Sequence, residues 1–411
     1  MGEPIESKKT SGSIFPTRLT RVRVKLGKSD IRTQHVARGI LSHKGRVIGK
    51  GADKVVVELK RESSLRRDLG PQVKHDYVLV LPLKKWFLSK KKIFEKERQK
   101  MRELAQSAKD PQDRQYVDVE FTPLKTVRGG RVEIETTDTS TSKAGLHAIL
   151  KEKAEGDFEK AISSQMTEGG RKLRFPERIR LAHDFLAGMT VLSVADCAHG
   201  DIKPQNCLVY RDSRGSLSLK VSDFGKTQKV AEGETKPYRG NIRFVAPEGR
   251  VSKQGDVYGA ALVVIRTLEE FLGDSGESLV KIDKKDKEAQ AIKKRRGIEK
   301  YIVEHKAFLG ADTPGLPSII YKGLPRRARL EKQTKKQKER QQKLLEGYVN
   351  ALIEGLEGKN IKCGELGNLL KEMLHVDPQK RPTMEEAFNR FKNIFPKELS
   401  SKGRVGGFSY F

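Results

Sequence analysis

The stretch HGDIKPQNCLVYRDSRGSLSLKVSDFG, residues 199–225, contains two short strands, CLVY and LSLKVS, joined by a turn at Ser213, Arg214 and Gly215. Pairing the strands returns the chain to where it began. Asn206, just before the first strand, then lies close to Asp223, just past the second, while Asp201 stays behind in the loop that leads in. Two oxygen-bearing side chains at the mouth of a hairpin suit Mg2+, which takes one or two protein oxygens and keeps water and substrate phosphates as its other ligands. The remaining carboxylate, Asp201, is able to accept a proton from an incoming hydroxyl.

Before this hairpin the pattern is mostly that of strands. TRLTRVRVKLG and GRVIGKGADKVVVEL alternate basic and apolar positions, YVLVLPLKK follows at 77–85, and YVDVEFTPL and RVEIETT repeat the period of two. One amphipathic helix is predicted among them, over 87–108, with Phe94, Met101, Leu104 and Ala105 on one side. After residue 145 the reading changes to helices: LHAILKEKAE, then PERIRLAHDFLAGMTVLSVADCA with Pro176 near its start, then DVYGAALVVIRTLEEFL and GELGNLLKEMLHV. A sheet-rich first third ahead of a helix-rich remainder predicts an α+β fold.

Composition narrows the class. A hydrophobic fraction of 36% supports a packed core. The strongest apolar run, GAALVVI, is far shorter than the roughly 20 residues of a spanning helix, so no transmembrane segment is expected. The start, MGEPIESKKTSGS, has no apolar run of a secretory signal, and Glu6 stands where myristoylation wants Ser or Thr. Three scattered cysteines, Cys197, Cys207 and Cys363, fit a reducing, intracellular compartment and neither a disulfide framework nor a structural zinc site. The net charge of +29 predicts attraction to polyanions or acidic proteins. Much of it sits in two stretches: 281–300 holds nine Lys or Arg against four acids, and 322–343 holds ten against two. A solvated helical insert at about 281–345 accounts for them, and docking of a polyanion or acidic protein, which would make the chain a polyanion-binding protein, is the sharper alternative.

HGDIKPQN followed by SDFG resembles the catalytic loop and metal-binding triplet of the eukaryotic-type protein kinases, HRDLxxxxN and DFG. Further matches follow in family order: Ala246, Pro247 and Glu248 spell APE, Asp256 in GDVYGAA matches the helix aspartate, and Arg381 in DPQKRPTMEEA matches the late arginine. The resemblance implies a bilobal fold, with a tail at 1–17, a nucleotide-binding lobe of sheet plus one helix at 18–137, a helical catalytic lobe at 138–398 and a second tail at 399–411. It implies ATP and Mg2+ as cofactors and a protein Ser/Thr hydroxyl as acceptor. Asp201 would orient and deprotonate that hydroxyl, Lys203 would steady the γ-phosphate, and Asn206 with Asp223 would hold the metal. Lys203 and RGNIRFVAPE resemble the Ser/Thr branch, although Asn241 replaces its usual threonine.

The first lobe matches less closely. IGKGADKVV resembles the glycine-rich loop through Gly49, Gly51 and Val56, with Lys54 where the third glycine belongs. Lys84, or Lys85 beside it, is the expected nucleotide anchor, and Glu97, with Glu95 and Glu103 as alternatives, its helix partner. Glu135 falls where the hinge to the second lobe would be. Gly200 replaces the arginine that in switchable kinases pairs with an activation-loop phosphate, so the loop from Phe224 to Glu248 is expected to work unphosphorylated, the alternative being that Lys226, Lys229 or Arg243 supplies a substitute cation. Two other readings compete. Aminoglycoside and choline phosphotransferases also open with HGD, though they typically lack APE and the lysine of KPxN, and the irregular first lobe fits a pseudokinase scaffold. Compact kinases of this style include some that bacteria deliver into host cells.

Overall fold

A computed structural model describes residues 46–50, 54–58, 77–82, 87–108, 111–119, 122–126, 132–134, 147–163, 172–237, 244–269, 335–359, 361 and 363–400. The chain forms two compact units, Met1–Gln99 with Glu120–Lys153, and Lys100–Val119 with Ala154–Phe411. The fold is mixed helix and sheet.

In the first unit a six-stranded antiparallel sheet is built from β1 (Arg46–Lys50), β2 (Lys54–Glu58), β3 (Tyr77–Pro82), β4 (Thr122–Thr126), β5 (Val132–Ile134) and β6 (His147–Glu152), in the order β1-β2-β3-β6-β4-β5. The β1–β2 pairing slips by one residue between Val47 and Gly49, a bulge on the edge strand. Among the described side chains of β3 and β6, Val78, Val80 and Ile149 are buried.

Strand β6 corrects a sequence-based expectation. LHAILKEKAE has the look of a helix, yet His147–Glu152 is extended and pairs with β3 on one side and β4 on the other. A short apolar run does not separate helix from strand by its own period, and here pairing on both edges decides. The sheet therefore continues past residue 137, and the chain enters the second unit at Ala154. YVDVEFTPL is also not one strand: Val117 makes a single parallel bridge to Val221 before β4 begins at Thr122.

Helix α1 (Phe87–Ser107) forms as predicted, and Met101, Leu104 and the following Ala108 bury at spacings of three and four residues. In the second unit β7 (Gly156–Asp157) leads into α2 (Phe158–Ile162), capped by the Asp157 carboxylate, which accepts from Lys160 N at 3.0 Å. The central helix, α3 (Phe175–Val194), has Pro176 in its first turn, and Glu177 reaches back to Arg174 N at 2.8 Å. Its apolar face packs on hairpin strand β10 (Leu217–Val221), the partner of β9 (Cys207–Arg211), and on α4 (Lys253–Leu268). Helices α5 (Lys335–Glu357), α6 (Gly364–Met373) and α7 (Met384–Ile394) complete the bundle. Arg178 of α3 is fully buried and donates to Leu173 O, Thr267 O and Ile162 O at 3.1, 2.7 and 3.3 Å, occupying carbonyls at the ends of α2 and α4. Among the described residues no helix is long and apolar enough to cross a membrane.

Candidate active site

The hairpin has the expected register. β9 and β10 pair antiparallel from Cys207↔Val221 to Arg211↔Leu217, and the Asp212 carboxylate closes the turn by accepting from Arg214 N and Ser216 N at 2.9 and 2.8 Å. At the open end Ser222 donates twice to Asn206 O, from its N and its Oγ, both at 2.9 Å. That contact fixes Asp223, the next residue, beside Asn206. Asp223 has φ +65°, one of only two positive values at non-glycine positions among the described residues. Such a conformation costs on the order of 1 kcal/mol and persists where its surroundings impose it.

Asn206 uses its amide nitrogen inside the loop, donating to Asp201 O at 2.8 Å and to Asp201 Oδ2 at 3.2 Å. Its amide oxygen is left for another ligand. A neutral amide oxygen from Asn206 and a carboxylate from Asp223, the residue after the Ser222 contact, are by their chemistry a donor set that fits Mg2+ completed by water and phosphate. Among the described residues no group of three or more His, Cys, Asp or Glu side chains is placed to hold a metal ion.

Asp201 is buried, with its side chain 4% exposed, and Oδ2 accepts from Lys203 Nζ at 3.0 Å and from Lys226 Nζ at 2.9 Å. Burial pushes this carboxyl up, but Lys226 and Lys203 more than offset it and hold it below the usual aspartate range. The backbone N of Asp201 donates to His199 Nδ1 at 3.3 Å, while His199 Nε2 meets Ser222 O at 3.0 Å. These contacts select the tautomer with its proton on Nε2. Complete burial keeps His199 neutral by lowering its pKa. One imidazole thus ties the loop of Asp201 to the strand end that carries Asp223.

The loop is anchored from below by Asp256 of α4, whose Oδ2 accepts from His199 N at 2.6 Å, with Gly200 N as a further donor. Burial pushes the Asp256 carboxyl up to about 7 against the pull of those two N–H groups. Glu248 and Arg381, far apart in sequence, form a bidentate pair at 2.8 and 2.9 Å, and the arginine also donates to Gln254 O, His375 O and Val376 O.

Residues 224–237 run along the loop that carries Asp201. β11 (Gln228–Lys229) pairs with β8 (Cys197–Ala198), and β12 (Lys236–Pro237) pairs with β13 (Arg250–Val251). Val230 N donates to Asp196 O at 2.8 Å, and Lys253 reaches the Asp196 carboxylate at 2.6 Å. The three cysteines are free and buried.

Asp201, Lys203, Asn206 and Asp223 are therefore assembled at one end of one hairpin. In the first unit, Gly49 is paired with Val56 across the β1–β2 turn, and Glu97 is a half-buried residue of α1. Gly51, Lys84, Lys85, Glu135, Asn241 and the stretch 281–300 lie outside the described residues, as does 322–334 of the second basic stretch. Two participants were not among the expected site residues. His199 was visible only as a letter of the motif, and Lys226 only as one of three candidate substitute cations for the activation loop, not as a partner of Asp201.

Asp, Lys, Asn and Asp at the mouth of a β-hairpin make up a site suited to handling a metal-bound phosphate. A family model, protein kinase domain, matches residues 90–391, and the chain belongs to that family. It is 28% identical over 138 residues, 32% of this chain and 25% of the relative, to a calcium and calcium/calmodulin-dependent serine/threonine-protein kinase of Lotus japonicus. It is 26% identical over 137 residues, 31% of this chain and 23% of the relative, to dual specificity testis-specific protein kinase 2 of Homo sapiens. Over 78 residues, 19% of this chain and 6% of the relative, it is 32% identical to probable serine/threonine-protein kinase gdt8 of Dictyostelium discoideum. The matches thus span a quarter or less of each of these relatives.

Proposed function

We propose that the chain is a Ser/Thr protein kinase that transfers the γ-phosphate of Mg2+-bound ATP to a protein hydroxyl. The supporting observation is the buried Asp201 carboxylate, held by Asn206 and two lysines at the hairpin end where Asp223 is fixed. Asn206 Oδ1 and Asp223 would hold the metal, which when bound neutralises phosphate charge. Asp201 would receive the proton as the acceptor oxygen bonds to phosphorus and the bond to the departing diphosphate breaks. Lys203 would neutralise the transferring phosphate.

Within the first unit, Gly49, Gly51 and Val56 are proposed for the nucleotide's phosphate and base, with Lys84 and Glu97 as the anchor and its partner. The hinge moves from Glu135 to Glu152–Glu155, where the chain leaves β6 and enters the second unit. The two units are taken as the two lobes of the kinase fold. The ordered segment 224–237 supports activity without phosphorylation.

Transfer of labelled phosphate from ATP to the chain itself or to a generic basic protein tests this reading. Transfer that disappears in Asp201→Ala and Asp223→Ala supports it. Tight Mg2+–ATP binding without transfer by the unaltered chain would make it a scaffold instead.

A further inference from the structure

Lys226 ends the 3-10 turn Phe224–Lys226 that follows Asp223. Its ammonium is 2.9 Å from Asp201 Oδ2, the oxygen that also receives Lys203 at 3.0 Å and Asn206 at 3.2 Å. The lysine side chain is 44% exposed and the carboxylate 4%. A surface ion pair of two exposed chains contributes little, but a buried acceptor is poorly screened, and removing a partner from it leaves charge in a low-dielectric site.

The approach of Lys226 depends on Gly200. A Cβ at position 200 would lie 2.9 Å from Lys226 O, and Gly200 has φ +71°, so a side chain there is opposed by both contact and backbone geometry. The arginine expected before the catalytic aspartate has no room in this arrangement. The extra cation enters from the activation segment and turns inward.

We propose that Lys226 is a positioning residue for Asp201: it holds Oδ2 while Lys203 is drawn to the phosphate, and Gly200 is the space that admits it. This rests on the phosphotransferase reading. One ammonium cannot serve the carboxylate and an arriving phosphate equally well, because the phosphate carries more charge and more acceptor oxygens. Lys226 belongs to a separate segment and keeps its hold on the carboxylate. Displacing residues 224–226 would therefore release the aspartate that faces the acceptor, so the placement of the segment controls the reaction through one side chain.

The test combines kinetics with an unfolding cycle on the full chain. Lys226→Met is expected to lower kcat at least tenfold with KM for ATP within twofold of the unaltered chain, and Lys226→Arg to recover kcat to within threefold. Gly200→Ala, which pushes Lys226 away, should lower kcat similarly and add less than twofold to the loss in Lys226→Met. In urea, Lys226→Met should raise the unfolding constant at least fivefold when Asp201 is present and less than twofold in an Asp201→Asn background. Unchanged kcat in Lys226→Met, or equal unfolding shifts in both backgrounds, would overturn the proposal. A chain with no transfer activity at all would remove the phosphotransferase reading, and the unfolding cycle would still decide whether Lys226 holds Asp201.

Discussion

Replacing Asp256 by Asn isolates the anchor beneath the loop that carries Asp201. Burial places this carboxyl at about 7, against 3.8 for an ordinary aspartate. Between those values the folded chain keeps a proton that the unfolded chain releases, so this group's contribution to stability falls as pH rises from about 4 to about 7. Each pH unit is worth roughly 1.4 kcal/mol, which makes the whole penalty on the order of 4 kcal/mol and the part between pH 5 and 8 about 3 kcal/mol. Asn carries no charge at any of these pH values. Its side chain replaces one of two accepting oxygens by an amide nitrogen that donates, a loss of roughly 1–3 kcal/mol that does not vary with pH. Urea titrations at pH 5 and pH 8 should therefore show Asp256→Asn gaining about 3 kcal/mol relative to the unaltered chain as pH rises. Its kcat should fall, because a shifted His199 no longer aligns Asp201 with Asp223. Parallel stability profiles for the two proteins would refute the reasoning, since they would mean that Asp256 is ionised in the folded state throughout.

Other perturbations follow from the same geometry. Arg381→Met leaves Glu248 and three backbone carbonyls without a fully buried donor, and should cost about 3–5 kcal/mol in urea unfolding. Gly188→Ala in α3 would put a Cβ 2.5 Å from Tyr116 O, against the segment that pairs with Val221, and should cost about 1–3 kcal/mol with a drop in activity as β10 shifts. Treatment with a phosphatase should leave the transfer rate within about twofold, because the paired segment 228–237 is held by backbone bonds and by Lys253 on Asp196. A large loss of rate would show that a phosphate supplies the missing cation's partner.

What the sequence disclosed depended on how local the cause was. The hairpin 207–221 was legible because its register, turn chemistry and metal-suited flanks all lie within one short stretch, and Asn206 and Asp223 meet as its pairing requires. The long helices α1 and α3 were legible because an apolar stripe at helical spacing persists over five turns or more. Strand β6 was misread because HAILKE acquires its identity from neighbours on both edges, which no local pattern records. Glu248 and Arg381 were recognised as letters, but their bidentate contact exists only in the folded chain. Lys226 was legible as one of three cations able to stand in for the missing arginine, but its pairing with Asp201 was not, because a lysine is by default a solvated surface group and the close approach of its backbone to Gly200 exists only in the folded chain.

The division of labour at the hairpin is the central claim, and nucleotide binding measured by calorimetry with and without Mg2+ tests it most directly. Asp223→Asn should lose the Mg2+-dependent part of ATP affinity, whereas Asp201→Asn should keep it and still fail to transfer phosphate. Equal ATP affinity in Asp223→Asn and the unaltered chain, at every Mg2+ concentration, would contradict the account.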